Sequence, residues 1–468
     1  MPRGKRALIQ STPQSSTALV ARNKGWLPDR RDPSKSKRPR RDEEDGTPLP
    51  DEILLHIFAG FPEIADLVRC AATCRRWRRL VSGEAAFIIS SRRHPGRFVP
   101  LLALGFFFHH NQQAAAAPRF VPMASVSRRF PTLPSPLLDS SSRVVASRNG
   151  LVVVDLWRGG GGEHRRALKL CVCNPMTGEA HALPPLTGKD GLGQYACTVL
   201  TADDRLATTD PSPPSSYRLL LVYSRRGFTA FRSYSDDGGG GGGWSPEAKV
   251  TGAQIVKKHM GIMRNGVVAP GGREAYWLAK DVVFALRLDT MEASVMRLPR
   301  SRSRQCRFGW LVRDNTTLLG FTPEGRLCTI QLDIRLRSLT TFQLCVSLNI
   351  HTYRSHSHGG GNEDELWETE DEMIRIESFS MDDNVLTLKL RWFCERSGIV
   401  LFTADRWLCG NRRIELYAFS IHTRKLEKVV SNGDGSGNDP WGNLYGYEMD
   451  QAAYLTSLAE PEREKNML

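Results

Sequence analysis

Phe284-Ala285-Leu286-Arg287-Leu288-Asp289-Thr290 is an apolar run that ends on a pair of turn-forming residues. Its length, its aromatic start and the Asp-Thr stop mark a strand followed by a tight turn. The same signature returns in Cys328-Thr329-Ile330-Gln331-Leu332-Asp333 and in Leu416-Tyr417-Ala418-Phe419-Ser420-Ile421-His422-Thr423. Asp289, Asp333 and His422 stand 44 and 89 residues apart, near one and two periods of a propeller blade of about 40–50 residues. A fourth copy, Cys171-Val172-Cys173-Asn174-Pro175-Met176-Thr177, lies 115 residues before Asp289. It fits two periods if the loop Pro211 to Ser216 and the run Gly238 to Gly243 supply about 27 inserted residues.

Outward from these copies, short apolar and β-branched runs alternate with turn clusters. Clear examples are Arg143 to Val154, Leu168 to Asn174, Arg218 to Tyr223, Val385 to Trp392 and Gly398 to Thr403. Such runs without long helical periodicity define a mainly-β region. The repeat favours a β-propeller of about six or seven blades, with a pair of β-sandwiches as the alternative.

Residues 48–88 have a different period. Pro50 suits the first turn of a helix, and Asp51 and Glu52 suit its positive end. Ile53, Leu54, Ile57 and Phe58 then form one apolar face. After Gly60 and Pro62 a second helix is expected from about Ala65, with Leu67, Val68, Ala71, Ala72, Trp77, Leu80 and Val81 as its stripe and Gly83 as its stop. So small an all-α module needs its apolar faces covered by the rest of the chain or by a partner.

The order Leu49-Pro50-Asp51-Glu52-Ile53-Leu54, Ile57-Phe58, Ala65-Asp66-Leu67, Cys74-Arg75-Arg76-Trp77-Arg78-Arg79-Leu80-Val81 and a trailing Phe87 closely resembles the F-box motif. Further strings resemble the propeller-like associated domains of large plant F-box families: Leu104-Gly105-Phe106-Phe107-Phe108, Ser147-Arg148-Asn149-Gly150-Leu151 and Tyr276-Trp277-Leu278. The resemblance implies a non-catalytic substrate receptor of a ubiquitin ligase, with the module on a Skp-type adaptor, a cullin beyond it, and a protein target on the β domain. A non-degradative F-box scaffold or regulator is the alternative. The adaptor contacts it implies are Leu49, Pro50, Ile53, Leu54, Ile57, Ile64, Leu67 and Val68, with Phe58, Trp77 and Leu80 as structural core. It also implies a protein of the nucleus, the cytoplasm or both.

The expected organisation is a disordered basic tail (1–47), the F-box (48–88), a linker with first strands (89–141), the propeller-like domain (142–458) and a disordered C-terminus (459–468). Of the net charge of +14, residues 1–41 hold +10, from twelve basic and two acidic side chains. The body is therefore nearly neutral, which argues against a nucleic-acid-binding domain. Ser34-Lys35-Ser36-Lys37-Arg38-Pro39-Arg40-Arg41 reads as a nuclear import signal or as an incidentally charged tail.

The ten cysteines are scattered, mostly within apolar runs, as expected of reduced thiols. No apolar stretch approaches the roughly 20 residues of a membrane span, and no secretory signal is expected. The glycine runs lack the residues of a phosphate loop. His351, His356 and His358 read as part of a polar loop, and the acidic stretch Asn362 to Glu372 as a solvated one. No catalytic, cofactor or metal site is expected.

Overall fold

The computed structural model describes residues 49–61, 64–92, 98–109, 117–123, 142–156, 167–187, 194–201, 204, 216–236, 242–260, 263–299, 317–338, 343–354, 367–369, 373–376, 385–408, 411–432 and 439–459. The chain divides into two compact units, Met1–Leu49 and Pro50–Leu468, and the elements below belong to the second.

Four helices come first: α1 (Asp51–Ala59), α2 (Ile64–Thr73), α3 (Arg75–Gly83) and α4 (Ala85–Arg92). Strands β1 (Ala103–Phe108) and β2 (Arg119–Pro122) follow. Blade 1 is β3 (Ser142–Arg148), β4 (Leu151–Leu156), β5 (Leu170–Asn174) and β6 (Glu179–Ala182). Blade 2 is β7 (Tyr195–Thr201), β8 (Tyr217–Arg225) and β9 (Phe228–Asp236), with short β10 (Gly243–Trp244) and β11 (Ala248–Lys249) on its edge. After β12 (Thr251–Gly252) and the one-turn α5 (Lys257–Met260), blade 3 runs β13 (Arg264–Val268), β14 (Glu274–Ala279), β15 (Val282–Arg287) and β16 (Glu292–Arg297). Strand β12 adds to β16 in parallel. Blade 4 is β17 (Thr317–Phe321), β18 (Leu327–Ser338) and β19 (Gln343–Tyr353), edged by β20 (Trp367–Thr369) and β21 (Ile374–Arg375). Blade 5 is β22 (Val385–Cys394), β23 (Ile399–Leu408), β24 (Asn411–Ser420) and β25 (Leu426–Asn432). Strand β26 (Leu444–Glu448) and helix α6 (Gln451–Thr456) are the last elements among the described residues.

Strand β26 pairs antiparallel with β1, which pairs with β2. Both ends of the β region therefore build the sixth blade, and Phe106 is in register with Gly446. The strands β3, β7, β13, β17, β22 and β26 line the axis as neighbours, giving a six-bladed propeller. Apolar cores fill the gaps between successive blades, as with Ile330, Leu348, Leu388 and Phe402 between blades 4 and 5. Adjacent Trp392 and Phe393 point to opposite sides of β22, and each sits in a notch left by a glycine. A Cβ on Gly446 would lie 2.5 Å from the Trp392 ring, and one on Gly320 2.4 Å from Phe393.

The inner strands end on a knot of charges. The Arg148 guanidinium holds both carboxylate oxygens of Asp204 and donates to the Val199 and Val268 carbonyls at 3.2 and 3.4 Å. Its Nε lies 3.6 Å from Glu395, whose side chain is 15% exposed. Glu448 accepts from the backbone N–H groups of Ser397 at 2.7 Å and Arg396 at 3.1 Å. One arginine thus ties blades 1, 2, 3 and 5 together.

Several sequence expectations are corrected. Strands β1 and β2 fall within the stretch expected to hold a linker with first strands (89–141), and both belong to the closing blade. The run Arg143 to Val154 is a hairpin, not one strand: Asn149 and Gly150 both take positive φ (45° and 79°), the geometry Asn-Gly turns favour. Three of the four repeat copies do fall alike, at the end of β5, β15 and β24 before the turn to the fourth strand. Cys328 to Asp333, however, lies in β18, a second strand, so the 44-residue interval is not a blade period. The inner strands begin 53 to 69 residues apart. His351 is a buried strand residue, its Nδ1 3.0 Å from the Thr369 hydroxyl, and Trp367 to Thr369 form β20 within the expected acidic loop. The basic tail, the glycine runs up to Gly241, His356 and His358 lie outside the described residues.

Candidate functional site: the helical module and its exposed face

Helix α1 opens after Pro50, whose carbonyl accepts the Leu54 N–H at 3.1 Å. Asp51 in its first turn accepts from the Arg76 guanidinium at 2.6 and 2.9 Å, clamping α1 to α3. The second helix expected from sequence is broken in two. Cys74 takes an extended conformation (φ −149°), and its thiol caps α3 by accepting the Trp77 N–H at 3.4 Å.

The module's core is Leu54, Phe58, Leu67, Ala71, Leu80, Val81 and Ile88, completed by Ala452 and Leu455 of α6. Helix α6 is capped by Asp450, which accepts the Ala453 N–H at 3.1 Å. The C-terminal helix therefore supplies part of the core of the N-terminal module. Phe58 meets Trp77 edge-on at 5.5 Å, and Trp77 is half-buried against the cluster.

The expected adaptor contacts divide by burial. Leu54 (3% exposed) and Leu67 (0%) are buried in the module's core in the chain by itself. Val68 is half-buried within the module, and half-buried Ile64 packs on both the module and the propeller core. Pro50 and Leu49 are exposed. Ile53 and Ile57, one turn apart on α1, are 46% and 45% exposed, and Phe87 of α4 is 39% exposed. The Phe87 ring meets His56 of α1 edge-on at 5.8 Å, bringing the α4 side chain to the α1 surface. Only eight large apolar side chains are exposed among the described residues, and four of them (Leu49, Ile53, Ile57, Phe87) belong to this short segment. Phe87 is visible in the sequence only as the end of the motif, since its period does not separate an exposed from a buried face.

Among the described residues, no group of three or more His, Cys, Asp or Glu side chains is placed to hold a metal ion. Cys171, Cys173 and Cys197 are buried free thiols, and burial pushes Cys173 and Cys197 up to about 12. No helix of the described residues is long and apolar enough to cross a membrane.

Fold and module together define a β-propeller protein with an F-box-like helical segment: a model described as F-box-like matches residues 48–87. A second model, Domain of unknown function (DUF7595), matches residues 108–416, and the chain belongs to that family. No curated protein matches the chain. Among solved structures it is similar to a functionally unknown protein from Desulfotomaculum acetoxidans (13% identity, covering 72% of this chain and 83% of that one, TM-score 0.32). It is also similar to the exo-1,5-α-L-arabinanase from a bovine ruminal metagenomic library (9%, 63% and 98%, TM-score 0.25). A third is the β-propeller domain of the Trilobed protease from Pyrococcus furiosus (7%, 61% and 82%, TM-score 0.29).

Proposed function

We propose that the chain is the substrate-recognition subunit of a Skp–cullin–F-box ubiquitin ligase. The observation that carries this reading is the concentration of exposed apolar side chains, Ile53, Ile57 and Phe87, on a segment that matches the F-box-like model. Apolar side chains left in water beside a filled core are the surface a stable partner covers. The Skp-type adaptor is that partner, and through it a cullin. The propeller holds a protein target, and the gain in rate is proximity: target lysines are brought near a ubiquitin-loaded enzyme without acid–base groups from this chain. Such a receptor works in the nucleus, the cytoplasm or both.

The test is capture of a purified Skp-type adaptor by the intact chain, by Ile53→Asp/Ile57→Asp, and by Leu49→Ala/Pro50→Ala. Both pairs are exposed, so their unfolding curves should match the parent's while capture falls at least tenfold. An intact chain that fails to capture the adaptor would overturn the reading. Accumulation of the target when the chain is removed from cells separates a degradative receptor from a scaffold.

A further inference from the structure

Between blades 3 and 4 lies a groove of about 830 Å³, within the roughly 300–1,000 Å³ of small-ligand and side-chain-binding pockets. Tyr276, Phe321 and Tyr353 are among its lining residues, with Met296 beside them. The Tyr276 and Phe321 rings meet edge-on at 5.9 Å, and Tyr353 is braced edge-on by Trp367 at 5.4 Å. Glu274, Glu292 and Glu324 supply carboxylates, and the Tyr276 hydroxyl donates to Glu274. Glu292 and Glu324 are exposed.

Three arginines also line the groove, but two are already engaged. Arg287 pairs with Asp289 at 3.3 Å and approaches Glu274 at 4.0 Å, and Arg354 pairs with Glu368. Asp289 and Glu368, outside the lining, neutralise two of the three arginines, which leaves Glu274, Glu292 and Glu324 against Arg326, a local excess of negative charge. Aromatic faces beside carboxylates attract a cation twice over, through the ring quadrupole and through charge.

We propose that this groove binds the target, taking a segment that carries lysine or arginine. Its cationic head lies over Tyr276 and Tyr353 beside Glu274, and its aliphatic stem runs along Phe321 and Met296. The proposal rests on the receptor reading and adds the chemistry of what is received. Neighbouring carboxylates at the rim, Glu292 and Glu324, hold the flanking basic residues.

The experiment uses fluorescent octapeptide pools with a fixed central Lys, Arg, Glu or Leu, titrated into the intact chain at low salt and followed by anisotropy. The Lys and Arg pools should bind, and at least tenfold less tightly to Glu292→Lys/Glu324→Lys, whose exposed sites leave the fold intact. Tyr353→Ala should lose the same pools. Equal response of all four pools, preference for the Glu pool, or undiminished binding by the charge-reversed chain would each overturn the proposal. Adaptor capture measured on the same samples keeps the two ideas apart. Flat pools with adaptor capture retained overturn the groove alone, whereas loss of capture by the parent chain overturns the receptor reading beneath it.

Discussion

Glu395 sits where the inner strands end, its side chain 15% exposed and 3.6 Å from Arg148. Burial raises its pKa to about 7 against the pull of Arg148, and Glu448 and Asp204 add to the rise. A carboxyl raised in the folded state gives stability below its unfolded pKa of about 4.3, and that stability is lost as pH climbs through about 7. Glu395→Gln should therefore melt at a higher temperature than the parent at pH 8 and at nearly the same temperature at pH 5, by circular dichroism. Gly150 is a second residue with a measurable role. Its φ of 79° disfavours a side chain, and a Cβ there would lie 2.8 Å from the Asp450 backbone nitrogen. Gly150→Ala should cost about 1–3 kcal/mol, read from the denaturant midpoint. The Asn149-Gly150 dipeptide was open to reading as a turn. The contact with Asp450 was not, because it joins positions 300 residues apart.

At the scale of elements, the helical module separates core from surface in a way substitution can expose. Phe58 is buried on every side, so Phe58→Ala should destabilise the module by about 3–5 kcal/mol and abolish adaptor capture through unfolding. Half-buried Trp77 should cost less when truncated to Ala. Chemical denaturation of both variants followed by Trp fluorescence and circular dichroism checks the order. The apolar period of α1 and the stripe of α2 and α3 were legible because a helix must hide one face. The break at Cys74 was not, since a thiol is an unusual cap and the stripe continues across it. The same limit applies to strands. Runs such as Arg218 to Tyr223 and Val385 to Trp392 fall where the structure has β8 and β22, because pleated burial demands β-branched and aromatic residues there. The groove between blades 3 and 4 was hidden from sequence, as Tyr276 and Tyr353 meet only through the blade packing.

For the whole molecule, the helical module and the propeller share their fate through the C-terminal segment. Ending the chain at Met449 keeps every described strand but removes Ala452 and Leu455 from the module's core. Such a chain should retain the propeller's cooperative melt by calorimetry while adaptor capture falls. Ending it at Asn443 removes β26 as well, leaving β1 without one partner and Trp392 without Gly446 opposite it. That chain should lose cooperative unfolding altogether. Six blades lie within the range the repeat favours, but closure by both ends does not show in it, because three of the four copies mark third strands, the other a second strand, and none lies in the closing blade.

The closing blade also sets a timetable. A ribosome delivers β1 early, with Phe106 and Phe107 bound for a core whose other half, Leu444 and Tyr447, is more than three hundred codons behind. Until β26 emerges, the nascent chain carries an unpaired edge and an unfilled apolar face, the features that recruit chaperones and invite misassembly. The helix that finishes the F-box-like module arrives later still. A chain released before β26 and α6 emerge is therefore incomplete in both the closing blade and the helical module.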